Sequence, residues 1–254
     1  LGQIKKKGKQ AMEREIKNWE DEKENLMLQA IPMCANISSD YILKNVENTD
    51  IRCVVSLENK DDICPVTEDM LKKWDKTQEE VCEIATKNTA THTTIKNLME
   101  IFSELPELLS DANMCVVSSG YKCGGAGAFI PEVMEKFAKE NQQNPFVIQP
   151  SSIHESLYVP IYDYSEDSAK YLDEMVSAVN KQEVKENEWA SNNSYTYDPA
   201  TKELGKTTEM FSKIRLRTKD VTEEKKADKN KSIVNEDFTG HEYTNEVEQD
   251  EREV

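Results

Sequence analysis

Apolar positions along this chain come in short runs of changing period, and the period predicts the elements. Over residues 10–30, Met12, Ile16, Trp19, Leu26 and Met27 fall at helical intervals in a charged segment, which predicts a helix that Pro32 limits. Residues 51–57, Ile-Arg-Cys-Val-Val-Ser-Leu, are rich in β-branched side chains and bounded by polar clusters, as a strand requires. Thr67 stands as an N-cap before a helix over 68–74, with Glu68 and Asp69 favourable in its first turn. Thr77 and Glu80 spell a capping box for the next helix, whose Val81, Ile84 and Ala85 keep one face apolar. A third helix is expected over 93–104, ending before Pro106.

Farther along, a strand at 114–118 leads into a glycine-rich hairpin and a short strand at 126–130. Pro131 suits the first position of a helix running to about 141, because its missing N–H costs nothing there. Strands at 145–149 and 156–161 follow, then a helix at 166–181 with Ala169, Leu172, Met175, Val176 and Val179 on one side, then a strand at 194–198. This order favours an α+β fold, a mostly antiparallel sheet of about five strands with helices packed on one side. The pattern fades near residue 205, and a tail poor in large apolar groups cannot offset its ordering entropy. The expected organisation is a charged N-terminal helix (1–35), an α+β domain (36–204) and a disordered acidic tail (205–254). Because the chain starts at Leu1 rather than Met, it reads as a fragment or processed product of something longer.

Charge narrows the partners. With 32 basic and 49 acidic residues the net charge is −17, which disfavours nucleic acid and anionic lipid. The exception, Lys5-Lys6-Lys7-Gly8-Lys9, reads as a solvated chain end. No apolar run approaches the roughly 20 residues that cross a bilayer. Six cysteines at irregular spacings, none in a CxxC pair, read as reduced thiols serving as small hydrophobes in a cytoplasmic protein.

Candidate chemistry concentrates in Pro150-Ser151-Ser152-Ile153-His154-Glu155, which joins two predicted strands and holds one of three histidines. A triad of Ser151 or Ser152 with His154 and Glu155 needs nucleophile, base and acid in one line of hydrogen bonds, and neighbours this close rarely achieve it. Adjacent side chains in extended backbone also point apart. No Gly-x-Ser-x-Gly elbow exposes a serine, and His154-Glu155 lacks the second histidine of a zinc-binding HExxH. His92 and His241 add no metal spacing, so neither metal nor cofactor is expected. Gly124-Gly125-Ala126-Gly127-Ala128 does not spell a dinucleotide fingerprint and reads as a tight turn. The tryptophans and tyrosines have acidic neighbours, unlike a nucleic-acid stacking platform.

Three segments carry a resemblance. They are residues 66–74, Val-Thr-Glu-Asp-Met-Leu-Lys-Lys-Trp, running into 79–89, Glu-Glu-Val-Cys-Glu-Ile-Ala-Thr-Lys-Asn-Thr; the turn Gly124 to Phe129 with Pro131-Glu132-Val133; and residues 146–155 with the strand to Pro160. Together, over about residues 18–200, they resemble a family of uncharacterised domains from clostridial and other gut Firmicutes, marked by a Pro-Ser-Ser-x-His-Glu turn. The resemblance implies an intracellular bacterial α+β protein and supplies no reaction, cofactor or partner. Where relatives carry a Thr-Asn pair, this chain has Ser118-Ser119, which argues against a polar role there.

The function expected from these readings is non-enzymatic binding of another macromolecule, a protein. The alternative is a hydrolase or nucleotide-handling enzyme with His154 as acid/base, Glu155 or a distant carboxylate as its orienter, and Ser151 or Ser152 as nucleophile candidates. A third reading makes the turn purely structural.

Overall fold

A computed structural model describes residues 17–58, 62–101, 114–120, 122–150 and 152–218, and in it short strands pair into two antiparallel sheets. The first holds β1 (Leu26–Ala30), β2 (Leu43–Asn45), β3 (Arg52–Glu58) and β4 (Ile63–Pro65). β3 is its spine, pairing with β1 along one edge and with β2 and β4 along the other. The second sheet holds β5 (Thr93–Asn97), β6 (Cys115–Ser119), β7 (Phe146–Gln149), β8 (Ser156–Pro160), β9 (Tyr195–Asp198) and β10 (Glu203–Lys206), in the order β10-β9-β7-β8-β6-β5. Helices α1 (Trp19–Glu22), α2 (Glu68–Trp74), α3 (Gln78–His92), α4 (Leu98–Ile101), α5 (Pro131–Glu140) and α6 (Glu166–Glu183) intervene. The chain divides into two compact units, Leu1–Lys213 and Ile214–Val254. Residues 207–213 close the first unit as helix, and the described part of the second, 214–218, is helical as well.

The mixed fold and antiparallel pairing follow the sequence pattern, but among the described residues ten strands in two sheets replace one sheet of about five. Helices also take both faces of the second sheet. Strand β7 is buried throughout. Its Phe146 meets Phe137 of α5 at 4.8 Å between ring centroids, while Val147 clusters with Ala169 and Leu172 of α6. Successive strand residues point to opposite faces, so one apolar strand recruits a helix on each side. One continuous core joins the sheets, running from Leu28 and Val55 through Val81 to Phe129, Phe146 and Tyr158.

Local expectations fare unevenly. The capping box forms, with Thr77 Oγ1 accepting from Glu80 N at 3.2 Å and Glu80 Oε2 accepting from Thr77 N at 2.9 Å. Thr67 precedes α2 in extended geometry but makes no side-chain cap bond. Residues 26–30, placed by spacing in one long helix, are strand β1; every one is buried, Gln29 included, and a short, mostly apolar run fits a buried strand as well as a helix. Met12 and Ile16 of that expected helix lie outside the described residues. The third helix is replaced over 93–97 and kept over Leu98–Ile101 as α4. α3 continues to His92, and Thr93, Thr94 and Ile95 then pair with β6, as β-branched residues favour. The glycine-rich hairpin and its strand at 126–130 are one 3₁₀ turn, Gly124–Phe129. Strand β10 and the helical residues 207–218 lie where the sequence pattern fades. The remainder of the expected tail, His241, Lys5 to Lys9 and Pro106 lie outside the described residues.

Candidate functional site

Most of the polar groups around the Pro-Ser-Ser-Ile-His-Glu turn serve the backbone. Ile153 N donates to Glu188 O at 2.9 Å, and Ile153 O accepts from Gly125 N at 2.9 Å, so the turn is clipped on two sides. The Ile153 side chain enters the core. Ser152 Oγ accepts from His154 N at 3.0 Å. It therefore faces the backbone of the residue whose ring it would have to serve as nucleophile. Ser151 lies outside the described residues, and Glu155 is exposed. The His154 side chain is 47% exposed, with Nε2 at 4.0 Å from Glu188 Oε1, a carboxylate the sequence did not single out. Lys185 Nζ approaches the same Glu188 oxygen at 3.7 Å. The structure thus brings His154 to a carboxylate and, among the described residues, places no hydroxyl on its ring.

The Ser118-Ser119 pair has the polar role that the departure from relatives argued against. Ser118 Oγ donates to His154 O at 2.8 Å, and the buried Ser119 Oγ donates to Gly124 O at 3.1 Å. The 3₁₀ turn is wedged between these strands. A Cβ on Gly125 would stand 2.9 Å from Ser152 O and 3.0 Å from Ile153 O, so only glycine fits without backbone movement. Cys123, which opens the turn at φ 52°, has its thiol pushed up to about 11 by burial and by the Glu58 and Glu188 carboxylates. Glu58 Oε1 accepts from Lys122 N at 2.7 Å, fixing the approach to the turn. Tyr158 OH donates to Ala128 O at 2.6 Å and fixes its exit.

The Ala-Thr-Lys-Asn-Thr segment of α3 closes a sheet edge. β1 pairs only on one side, and Leu26, Leu28 and Ala30 turn their free backbone groups outward. Asn88 Nδ2 donates to Leu26 O at 3.0 Å and to Lys23 O at 2.8 Å. Thr89 Oγ1 accepts from Leu28 N at 2.8 Å and donates to Ala85 O at 2.6 Å. Ala30 N reaches Cys123 O at 3.2 Å. An unpaired edge that would template another strand is thereby occupied.

The more enclosed concavity lies elsewhere. A cleft of about 560 Å³ opens between β2, the start of α5 and the β9–β10 hairpin, floored by Leu28, Cys53, Phe129, Met134 and Tyr197. A second hollow of about 710 Å³ runs along α3 past Gln78, Glu79, Glu83 and Glu132. Lys44 and Thr86 line both, so the two hollows adjoin at this pair. Lys44 Nζ donates to Thr86 Oγ1 at 2.9 Å and makes no ion pair among the described residues. The other cleft lysine, Lys202, is paired with Glu135 at 2.8 Å, and Glu203 at the rim is paired with Lys213 at 3.0 Å. Lys202 holds the Glu135 carboxyl below its usual range. Beneath Lys44, burial drives the Cys53 thiol up to about 12, partly relieved by the lysine charge. The thiol is therefore neutral wall, not nucleophile.

The sequence did not single out this groove. Lys44 sits in a three-residue strand with no periodic signal, and Thr86 looks like any helix threonine. Among the described residues, no group of three His, Cys, Asp or Glu side chains could hold a metal, and no helix is long and apolar enough to cross a membrane.

Comparison with known proteins agrees with this picture of a fold without an assigned chemistry. No curated protein and no solved structure matches the chain. A model for a family of unknown function (DUF5688) matches residues 3–199, the whole span that carries both sheets up to β9. The chain belongs to that family, DUF5688.

Proposed function

We propose that this protein is a non-enzymatic module that binds another protein, and that it works in the cytoplasm. The observation carrying this reading is that the two described serines at His154 bond its backbone and not its ring: Ser152 Oγ accepts from His154 N, and Ser118 Oγ donates to His154 O. A turn bonded in this way holds a fold and does not drive acyl transfer, which needs the hydroxyl on the imidazole. The adjoining hollows supply the alternative use, one with an apolar floor and the other with a polar, mostly acidic wall. Buried thiols at Cys53 and Cys115, neither of them in a disulfide, fit a reducing compartment. The net charge of −17 turns the choice of macromolecule away from nucleic acid.

Affinity purification from cytosolic extract, with label-free mass spectrometry at two salt concentrations, tests this reading. It is expected to recover one protein near stoichiometry that persists at physiological ionic strength. Recovery of nothing above a denatured-bait control would overturn it. The hydrolase reading keeps one supporting observation, the 4.0 Å approach of Glu188 to His154. It requires hydrolysis of model esters or phosphoesters that vanishes in His154→Ala, and no such loss is expected.

A further inference from the structure

The groove has a charge pattern that selects its occupant. Lys44 lines both hollows, donates to Thr86 Oγ1 at 2.9 Å and makes no ion pair among the described residues. In a chain of net charge −17, such a cation in a cleft asks for an anion. Helix α5 begins at the same cleft with no side chain capping its first turn, and its N-terminal partial charge has the same sign as Lys44. One hollow beyond Lys44 is floored by Leu28, Phe129 and Met134. The other is walled by Glu79, Glu83 and Glu132 against a single further base, Lys87. The ligand therefore carries one negative charge at the junction, an apolar group on one side and positive charge on the other. Carboxylates at the rim, Glu47 among them, disfavour a second negative charge and hence a phosphate.

We propose that the groove binds the C-terminus of a partner protein, resting on the protein-binding reading above. The terminal carboxylate sits on Lys44 and Thr86, the last side chain is apolar and enters the Leu28–Phe129–Met134 cleft, and basic residues upstream lie along Glu79 and Glu83. Capture of a chain end in this way needs few contacts, because the carboxylate and the last side chain together fix register. A free apolar acid offers the same head and tail but leaves the acidic hollow empty.

The test uses the full chain and an N-terminally fluorescein-labelled pentapeptide, Lys-Arg-Gly-Ser-Leu, with a free carboxylate, read by fluorescence anisotropy. The C-terminal amide and a version ending in glycine are each expected to bind at least tenfold more weakly. Lys44→Met, which keeps most of the stem, is expected to weaken the free-acid peptide by a similar factor at unchanged melting temperature, and Lys44→Arg to restore most of the binding. Equal binding of acid and amide, or no effect of Lys44→Met, would overturn the assignment. Competition by 4-methylpentanoate at the peptide's own affinity would do the same, marking a small-acid site. If no peptide binds while the affinity purification still recovers a partner, the C-terminal assignment fails and the protein-binding reading stands. If both fail, the module reading itself is lost.

Discussion

Gly125 and His154 sit in the same turn with opposite weight. A Cβ on Gly125 meets the carbonyls of Ser152 and Ile153, neither of which can rotate away, so Gly125→Ala is expected to cost about 1–3 kcal/mol. The half-exposed His154 ring meets one carboxylate at 4.0 Å, so His154→Ala is expected to change stability by about 0–1 kcal/mol. Chemical denaturation of the two variants checks both, and a reversed order would put the buried role on the imidazole. Thiols divide similarly. Iodoacetamide at pH 8 is expected to label exposed Cys34 first and to spare Cys53, whose burial holds its thiol protonated up to about 12. A folded state that holds its proton more tightly than the unfolded chain is favoured below the ordinary value of 9.0. It loses that advantage as pH rises from there toward about 12. The urea midpoint should therefore fall above pH 9, and fall less in Cys53→Ala.

At the scale of elements, α3 both closes β1 and walls the groove. Asn88 satisfies two carbonyls at once, so Asn88→Ala is expected to cost about 1–3 kcal/mol. For a unit of this size that lowers the melting temperature by about 2–4 °C per kcal/mol. Calorimetry checks this, and an unchanged transition would mean water replaces the amide. The capping box of α3 and Pro131 at the start of α5 were legible because both are local. Strand β1 was not, since a short buried run with four apolar residues satisfies a helix or a strand, and the choice fell to pairing with β3. Strand β5 was missed for the same reason: its alternating burial exists only because β6 lies beside it.

Across the first unit, both sheets drain into one core, from Val55 and Trp74 to Phe146 and Tyr195. Shared burial couples the sheets, so they are expected to unfold together. Trp74 reports on the first sheet's side of this core, and Trp189 lies near the C-terminal end of α6, where its indole donates to Val184 O at 2.9 Å. Thermal melts followed by tryptophan fluorescence and by far-UV circular dichroism should superimpose; two separated transitions would contradict a single core.

Sequence alone settled what depends on near neighbours. It gave the mixed class, the strands at 51–57, 145–149 and 156–161, and the capped start of α3. It also identified the Pro-Ser-Ser-Ile-His-Glu turn as distinctive, though not what its serines bond. Tertiary structure decided the two-sheet topology, the helices on both faces, the clipping of Ile153 between Gly125 and Glu188, and the meeting of Lys44 with Thr86 across 42 positions of chain. Each of these joins residues far apart in sequence, and no local period encodes which distant backbone arrives to fill a donor, an edge or a cleft.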